Sequence, residues 1–299
     1  MNANFEKFIS PAIERQEIWR VIVVGAIWMA LYLLLSSLYF LAAFGLGYLE
    51  NLDALREGEF NTPPLMIFLL SSFLFWILAL LIPMWFFHRR GLISLLGGLS
   101  RRFFVHMGLG AAGFFIFVFL LGQLDRQEIT LQENIDPTLW QIYLLPGLFL
   151  LLIQVSAEEL LFRGYLQQQI AARFRLAWLA IIVPSLLFGM GHFTMKLGLE
   201  TGIMLVAMTT LLGLILAEVT YRTGSLGAAI GIHFANNLGG MFIVSFQDFA
   251  SGLALYRAAE YYENPELLPE ALRSQLIIFV SLIALYYLFQ LYRSKRASE

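Results

Sequence analysis

The hydrophobic residues of this chain are gathered into eight long runs that short polar stretches separate. Each run is near the length of about 20 residues that a helix needs to cross the hydrocarbon core of a bilayer. Backbone groups in lipid must be satisfied within the segment, so runs this long are expected to be helical. The predicted spans are 21–44, 65–87, 103–121, 139–162, 176–193, 202–221, 226–246 and 276–292.

The amino-acid composition indicates that much of the chain is surrounded by lipid and not by water. Of the 299 residues, 59% are hydrophobic and 13% are charged, whereas about 25% are charged in ordinary soluble domains. We therefore expect an all-α, polytopic membrane protein with about eight transmembrane helices and membrane lipid as a partner. Without an internal repeat or a linker, 1–299 is predicted to be a single membrane domain, with its catalytic-motif core at approximately 138–247.

The absence of cysteine excludes disulfides, cysteine nucleophiles and thiolate metal sites. Basic residues are not interleaved with aromatic residues in a patch, so we expect no nucleic-acid partner. The first apolar run is also too long for the hydrophobic part of a cleavable signal peptide. Together, these features favour an integral, multi-pass protein of a prokaryotic plasma (inner) membrane.

The polar connections alternate in charge. Fourteen of the 19 lysines and arginines fall on one side of the predicted bundle, while the connections at 50–59, 125–136 and 248–270 are acidic. The positive-inside rule places the basic side in the cytoplasm. Both termini are then cytoplasmic, which requires an even number of spans and agrees with eight.

Two adjacent carboxylates lie near the basic end of the fourth run. Glu159 and Arg163 are four residues apart, so they share a helix face and can form an ion pair. Glu158 points about 100° away from that face and is left for chemistry. A plain interfacial ion pair is the alternative for Glu159 and Arg163. Residues 164–175 are expected to be a short amphipathic surface helix or a solvated connector.

Two further pairs of polar or aromatic residues have helical spacing inside apolar runs. Phe188 and His192 are four apart in the fifth run, where Gly189 and Gly191 permit close helix approach or a locally irregular backbone. His233 and Asn237 are four apart in the seventh run. Ionisable residues inside spans are functional candidates by default, although a lone histidine is often a satisfied core residue and an Asn–His pair often only bridges helices.

Two other features have simpler interpretations. Glu218 lies four residues before Arg222, which predicts a salt bridge at the membrane edge. The small residues of the third run, Gly108 to Gly113, predict close helix packing within the chain, and a homodimer through the same face is a further possibility.

In this order, the three motifs resemble those of the CPBP family, the CAAX protease and bacteriocin-processing (Abi/CAAX-prenyl-protease-like) intramembrane proteases. The family pattern is EExxxR, FxxxH and HxxxN, which corresponds here to Glu158-Glu159 with Arg163, Phe188 with His192, and His233 with Asn237. The resemblance covers roughly residues 140–245. It implies an intramembrane endopeptidase that acts on a peptide or membrane-protein substrate, which lipidation could modify.

The resemblance also implies roles for the motif residues. Glu158 would activate the attacking water with help from His192, while His233 and Asn237 would hold the developing oxyanion, as peptide hydrolysis requires. Glu159, Arg163 and Phe188 would support the site. A zinc site made of Glu158, His192 and His233 is the alternative, and the metal-free glutamate mechanism without a cofactor is favoured.

Two other classes of function remain open. Some CPBP-like proteins are associated with bacteriocin immunity or with scaffolding, so a non-catalytic membrane partner is one alternative. A proton-coupled transporter is the other, because buried carboxylates and histidines also form proton relays. The inverted repeat of many transporters is not visible here. The substrate can be a prenylated CaaX end, a signal or pheromone peptide, or a membrane regulator.

Overall fold

The computed structural model of the chain describes residues 1–47, 60–124 and 129–296. Within these ranges the fold is a bundle of helices with one small sheet. The acidic connection at 50–59 lies outside the described residues. The same holds for residues 125–128 of the acidic connection at 125–136. The helices are α1 (Ala3–Ile9, continued by a 3-10 helix over Ser10–Arg15), α2 (Ile18–Gly45), α3 (Pro63–His88), α4 (Leu92–Leu96), α5 (Arg101–Leu124), α6 (Pro137–Glu159), α7 (Gln168–Phe174), α8 (Ala177–Met190), α9 (Gly198–Thr223), α10 (Gly227–Leu238), α11 (Ala259–Glu263) and α12 (Leu268–Arg296).

Five helical segments of the described chain are long and apolar enough to cross a membrane by length and composition. They are Ile18–Gly45, Pro63–His88, Arg101–Gln123, Pro137–Phe174 and Gly198–Thr223. The other three predicted spans also fall on helices, but α8 has 14 residues and α10 has 12. The all-α prediction is therefore confirmed, and the number of eight spans stays a prediction.

The fourth long helix does not end where the apolar run ends. A π-helix over Leu160–Gln167 joins α6 directly to α7, so the helical path continues to Phe174. The prediction of a surface helix or solvated connector at 164–175 is wrong for residues 164–172, which are buried apart from the half-buried Leu166. Burial of this stretch results from packing by segments that are distant in sequence, which local amphipathicity does not report.

The N-terminal segment covers the basic end of this helix. Phe5 and Ile9 of α1 are fully buried, and Glu6 accepts two hydrogen bonds of 2.8 Å from Arg175, at the end of α7. Asn2 donates to the carbonyl of Tyr221, near the end of α9, over 2.9 Å. The segment thus holds the ends of α7 and α9 together.

A buried polar cluster lies beside the N-terminal segment. His88 donates from Nδ1 to the Arg15 carbonyl over 3.0 Å, and its Nε2 accepts a 2.9 Å hydrogen bond from Tyr165. Arg90 donates to Gln168, and burial lowers the pKa of Arg90 to about 10. These contacts fix α7 against the end of α3. With a pKa of about 10, Arg90 stays cationic at neutral pH.

The opposite, acidic end of the bundle carries a three-stranded sheet. Its strands are β1 (Leu131–Glu133), β2 (Val244–Ser245) and β3 (Tyr256–Ala258), in the order β1-β3-β2. β1 pairs with β3 antiparallel, with Leu131 opposite Ala258, and β2 pairs with β3 in parallel. The sheet ties the start of α6 to the chain that follows α10.

Candidate active site

The first and third sequence motifs meet deep inside the bundle, where Phe188 of the second motif also packs, whereas His192 lies in the exposed turn after α8. Arg163 donates from Nη2 to the carbonyl of Gly213 over 3.1 Å. Gly213 lies fifteen residues from the start of α9 and ten from its end, which corresponds to about 22 Å and 15 Å along the helix axis. The first motif is therefore well inside the bundle and not at its basic edge. The sequence prediction that it lies near the end of its span is corrected, because the helix continues to Phe174.

Glu159 and Arg163 form the predicted ion pair. Arg163 Nη1 lies 2.8 Å from Glu159 Oε1, and both side chains are completely buried. The guanidinium also lies over the ring of Phe188, 4.5 Å from its centroid. Because the charge of Glu159 is compensated within the first motif, this carboxylate is suited to hold the site together.

His233 connects both carboxylates of the first motif. Its Nδ1 donates to Glu159 Oε1 over 2.8 Å, while its Nε2 lies 3.5 Å from Glu158 Oε2. The imidazole is 2% exposed, so its ring orientation is fixed by protein contacts. Nε2 is thus the ring atom that faces Glu158, and it carries an N–H there when the ring is an imidazolium.

Among the described residues Glu158 makes no salt bridge with an arginine or lysine, although Arg163 interacts with it electrostatically. It is 7% exposed, and its Oε2 is buried without a hydrogen-bond partner. Buried polar atoms are nearly always hydrogen-bonded, so an unpaired one requires a reason such as an unseen water or a catalytic role. Tyr32 of α2 interacts with Glu158 electrostatically. Glu158 thus has free acceptor capacity within a largely closed site.

Phe188 lies between the two histidines. Its ring centroid is 4.7 Å from that of His192 and 5.5 Å from that of His233. His192 donates from Nδ1 to the carbonyl of Phe188 over 2.8 Å, which leaves Nε2 as the acceptor of the neutral ring. The imidazole of His192 is exposed, so it lies at the accessible side of the site.

Asn237 contacts a residue that the sequence motifs do not include. Its Nδ2 donates to Gln154 Oε1 over 3.0 Å, and its Oδ1 accepts from Asn236 over 3.0 Å. Gln154 is 4% exposed and lies one helical turn before Glu158. A glutamine that follows a long apolar stretch and lies four residues before the paired carboxylates was the signal that could have indicated it.

Glycines allow the close helix packing that positions the second and third motifs. A Cβ on Gly189 would lie 1.9 Å from Thr210 Oγ1 and 2.8 Å from the carbonyl oxygen of Val206, whereas one on Gly191 would meet nothing closer than 3.4 Å. The predicted close approach is thus confirmed for Gly189 and is not needed at Gly191.

The third motif is held against α5 by a similar contact. A Cβ on Gly231 would lie 2.0 Å from the carbonyl oxygen of Met107, and one on Gly227 would lie 2.3 Å from that of Phe103. Gly110 of α5 approaches Ala228 in the same way, at 2.5 Å from its carbonyl oxygen. The predicted packing role of the small residues is confirmed at Gly110, while Gly108 and Gly113 face open space.

The proposed zinc ligands do not converge as they are arranged here. Within the described residues, no three His, Asp or Glu side chains form a group that could hold a metal ion. His233 and Glu158 are close to each other, but His192 does not complete a ligand set with them. The described residues therefore show no preformed three-ligand zinc site, and the choice between the metal-free and zinc mechanisms stays a prediction.

Comparison with known proteins agrees with the motif analysis. Residues 140–239 match the family described as Rce1-like, type II CAAX prenyl endopeptidase. The chain is also similar to the uncharacterized protein YyaK of Bacillus subtilis, with 26% identity over 248 residues that cover 80% of this chain and 81% of YyaK. No solved structure matches the chain significantly. The matched segment contains all three motifs, and it confirms the resemblance to the CPBP, CAAX-protease-like family over residues 140–239.

Proposed function

We propose that the chain is an intramembrane endopeptidase in which Glu158 activates water for attack on a peptide bond. The observation that carries this proposal is that two adjacent carboxylates have different surroundings. Glu159 is compensated by Arg163 at 2.8 Å, whereas Glu158 has a buried oxygen without a hydrogen-bond partner that faces His233. A general base needs an available oxygen in a site that excludes bulk water.

The proposed reaction gives the motif residues the roles that the family resemblance implies. Water loses a proton to Glu158 as its oxygen bonds to the peptide carbonyl carbon, and Nε2 of His192 assists by accepting a hydrogen bond from that water. The developing oxyanion receives hydrogen bonds from Asn237 and from Nε2–H of His233 in its imidazolium form. The carbon–nitrogen bond then breaks as Glu158 returns the proton to the leaving amine. These steps need no metal or other cofactor.

The placement in the membrane is part of the same proposal. The chain has eight spans with both termini in the cytoplasm, so the basic end with α1 and α7 faces the cytoplasm and the small sheet lies outside. The charge pattern of the connections supports this orientation. A prokaryotic plasma membrane is the proposed location, supported by the similarity to a protein of Bacillus subtilis.

Cleavage by purified protein in lipid nanodiscs tests the catalytic role. A fluorogenic farnesylated peptide with a CAAX end and its unprenylated counterpart serve as probes. We expect Glu158→Gln to lower kcat by about 10²–10⁴-fold, as loss of a general base does. Glu218→Gln is the control, because it makes the same chemical change at a half-buried glutamate that pairs with Arg222 and lies outside the three motifs.

Membranes from cells that express either form extend the test to unknown substrates. Mass spectrometry of new peptide termini should reveal products in cells with the wild-type protein that are missing with Glu158→Gln. If the wild-type protein cleaves neither peptide and both forms give the same termini, the chain is not this type of peptidase, and a scaffolding role becomes the better explanation.

A further inference from the structure

The polar contacts of Asn237 form a short chain of amides that crosses from α10 to α6. Asn236 Nδ2 donates to Asn237 Oδ1, and Asn237 Nδ2 donates to Gln154 Oε1, each over 3.0 Å. An amide nitrogen has two hydrogens, so Asn237 keeps one N–H after these contacts. The chain thus fixes both ends of the Asn237 amide.

The location of Gln154 links this chain to the reactive carboxylate. Gln154 and Glu158 are four residues apart on α6, so their side chains lie on the same face of the helix. Gln154 is 4% exposed in an otherwise apolar run, where an unpaired amide is unfavourable. The contact with Asn237 satisfies its oxygen and joins the third motif to the helix of the first.

We propose that Gln154 is a positioning residue that orients Asn237, so that the remaining N–H of Asn237 donates to the oxyanion beside Glu158. This inference rests on the proposed peptidase function and adds a residue to it. Without the Gln154 oxygen, the Asn237 amide keeps only its contact with Asn236, and rotation of the amide by 180° presents its oxygen to the oxyanion. Two electron-rich oxygens then face each other, which disfavours the transition state and leaves binding of the substrate largely unchanged.

The test compares Gln154→Met, which keeps the length of the side chain but has no amide, with wild type on the farnesylated CAAX peptide. We expect kcat to fall by about 10–100-fold, as small misplacements in an active site do, with KM nearly unchanged. Gln154→Asn, which keeps the amide but is too short for the 3.0 Å contact, should lose as much. Gln167→Met is the control, since this buried glutamine donates to the carbonyl of Ala217 away from the site.

A double-mutant cycle separates positioning from a general structural role. Asn237→Ala should lower kcat by about 10²–10³-fold, as loss of an oxyanion donor does. Adding Gln154→Met to Asn237→Ala should then cost little more, because both changes remove the same contribution. Thermal unfolding of each variant verifies that the protein is folded.

The outcomes distinguish this inference from the proposed function. Wild-type protein that is inert towards the peptide would contradict the peptidase function itself. Active wild-type protein with kcat unchanged in Gln154→Met would overturn the positioning role alone. The same conclusion would follow if the losses in the double variant multiplied, or if Gln154→Asn had full activity.

Discussion

The buried ion pair of Glu159 and Arg163 gives the strongest prediction for stability. Glu159→Gln removes one charge and preserves the shape of the side chain. Arg163 then remains fully buried beside the Gly213 carbonyl and the Phe188 ring, and Glu158, which interacts with it electrostatically without a salt bridge, is the carboxylate left nearby. Removal of one partner from a buried ion pair costs about 3–5 kcal/mol, because the other charge stays uncompensated away from water.

This cost converts into a measurable change in Tm. In domains of 150–250 residues, a change of 1 kcal/mol in the free energy of unfolding shifts Tm by about 2–4 °C. We therefore expect Glu159→Gln to lower Tm by at least about 6 °C. The measurement is thermal unfolding of the purified protein, followed by tryptophan fluorescence at one scan rate and one lipid-to-detergent ratio.

Glu218→Gln is the control that isolates burial as the cause. Glu218 and Arg222 have the same spacing and lie 2.6 Å apart, but their side chains are 28% and 52% exposed. An exposed pair of this kind contributes about 1 kcal/mol or less, so Tm should change by no more than about 2–4 °C. Equal shifts in both variants would refute the argument that burial makes the first pair important.

Three further predictions concern packing, metal dependence and orientation. Gly189→Ala should lower stability by about 1–3 kcal/mol through overpacking against α9, whereas Gly191→Ala should stay within about 0.5 kcal/mol; equal effects in thermal unfolding would contradict the packing described for α8. A metal chelator should leave the kcat of peptide cleavage unchanged, and loss of activity that added zinc restores would establish a metal mechanism. Because the chain has no native cysteine, Lys7→Cys should react with a membrane-impermeant thiol reagent only after cells are permeabilised, while Glu133→Cys should react in intact cells; the reverse pattern would invert the proposed topology.

Local helical spacing was sufficient to predict several contacts of the site. The four-residue separations of Glu159 from Arg163 and of Glu218 from Arg222 correspond to observed ion pairs. These predictions succeed because a contact within one helix depends on geometry that the sequence spacing determines. The helical runs were predictable for a similar reason, since the length of an apolar run is a local property.

Contacts between helices were not predictable from one sequence. The spacing of the first motif gives no sign that Glu159 also meets His233, or that Asn237 meets Gln154, because these pairs are more than seventy residues apart. The burial of residues 164–172 was missed for the same reason. Its three consecutive glutamines are typical of a surface helix, and their burial results from packing of the N-terminal segment and the end of α3 around them.

The close packing of α10 against α5 determines how large a transferable piece of this protein must be. The glycines at 227 and 231 leave space that the backbone of α5 fills, yet α5 lies outside the segment 140–239 that matches the family. A chimera that exchanges this segment alone with a relative would set one protein's α10 against another protein's α5. The similarity to YyaK extends over 248 residues, which agrees with inheritance of a segment longer than 140–239. A chimera should therefore exchange a segment that begins before residue 101, so that α5 and α10 come from the same protein.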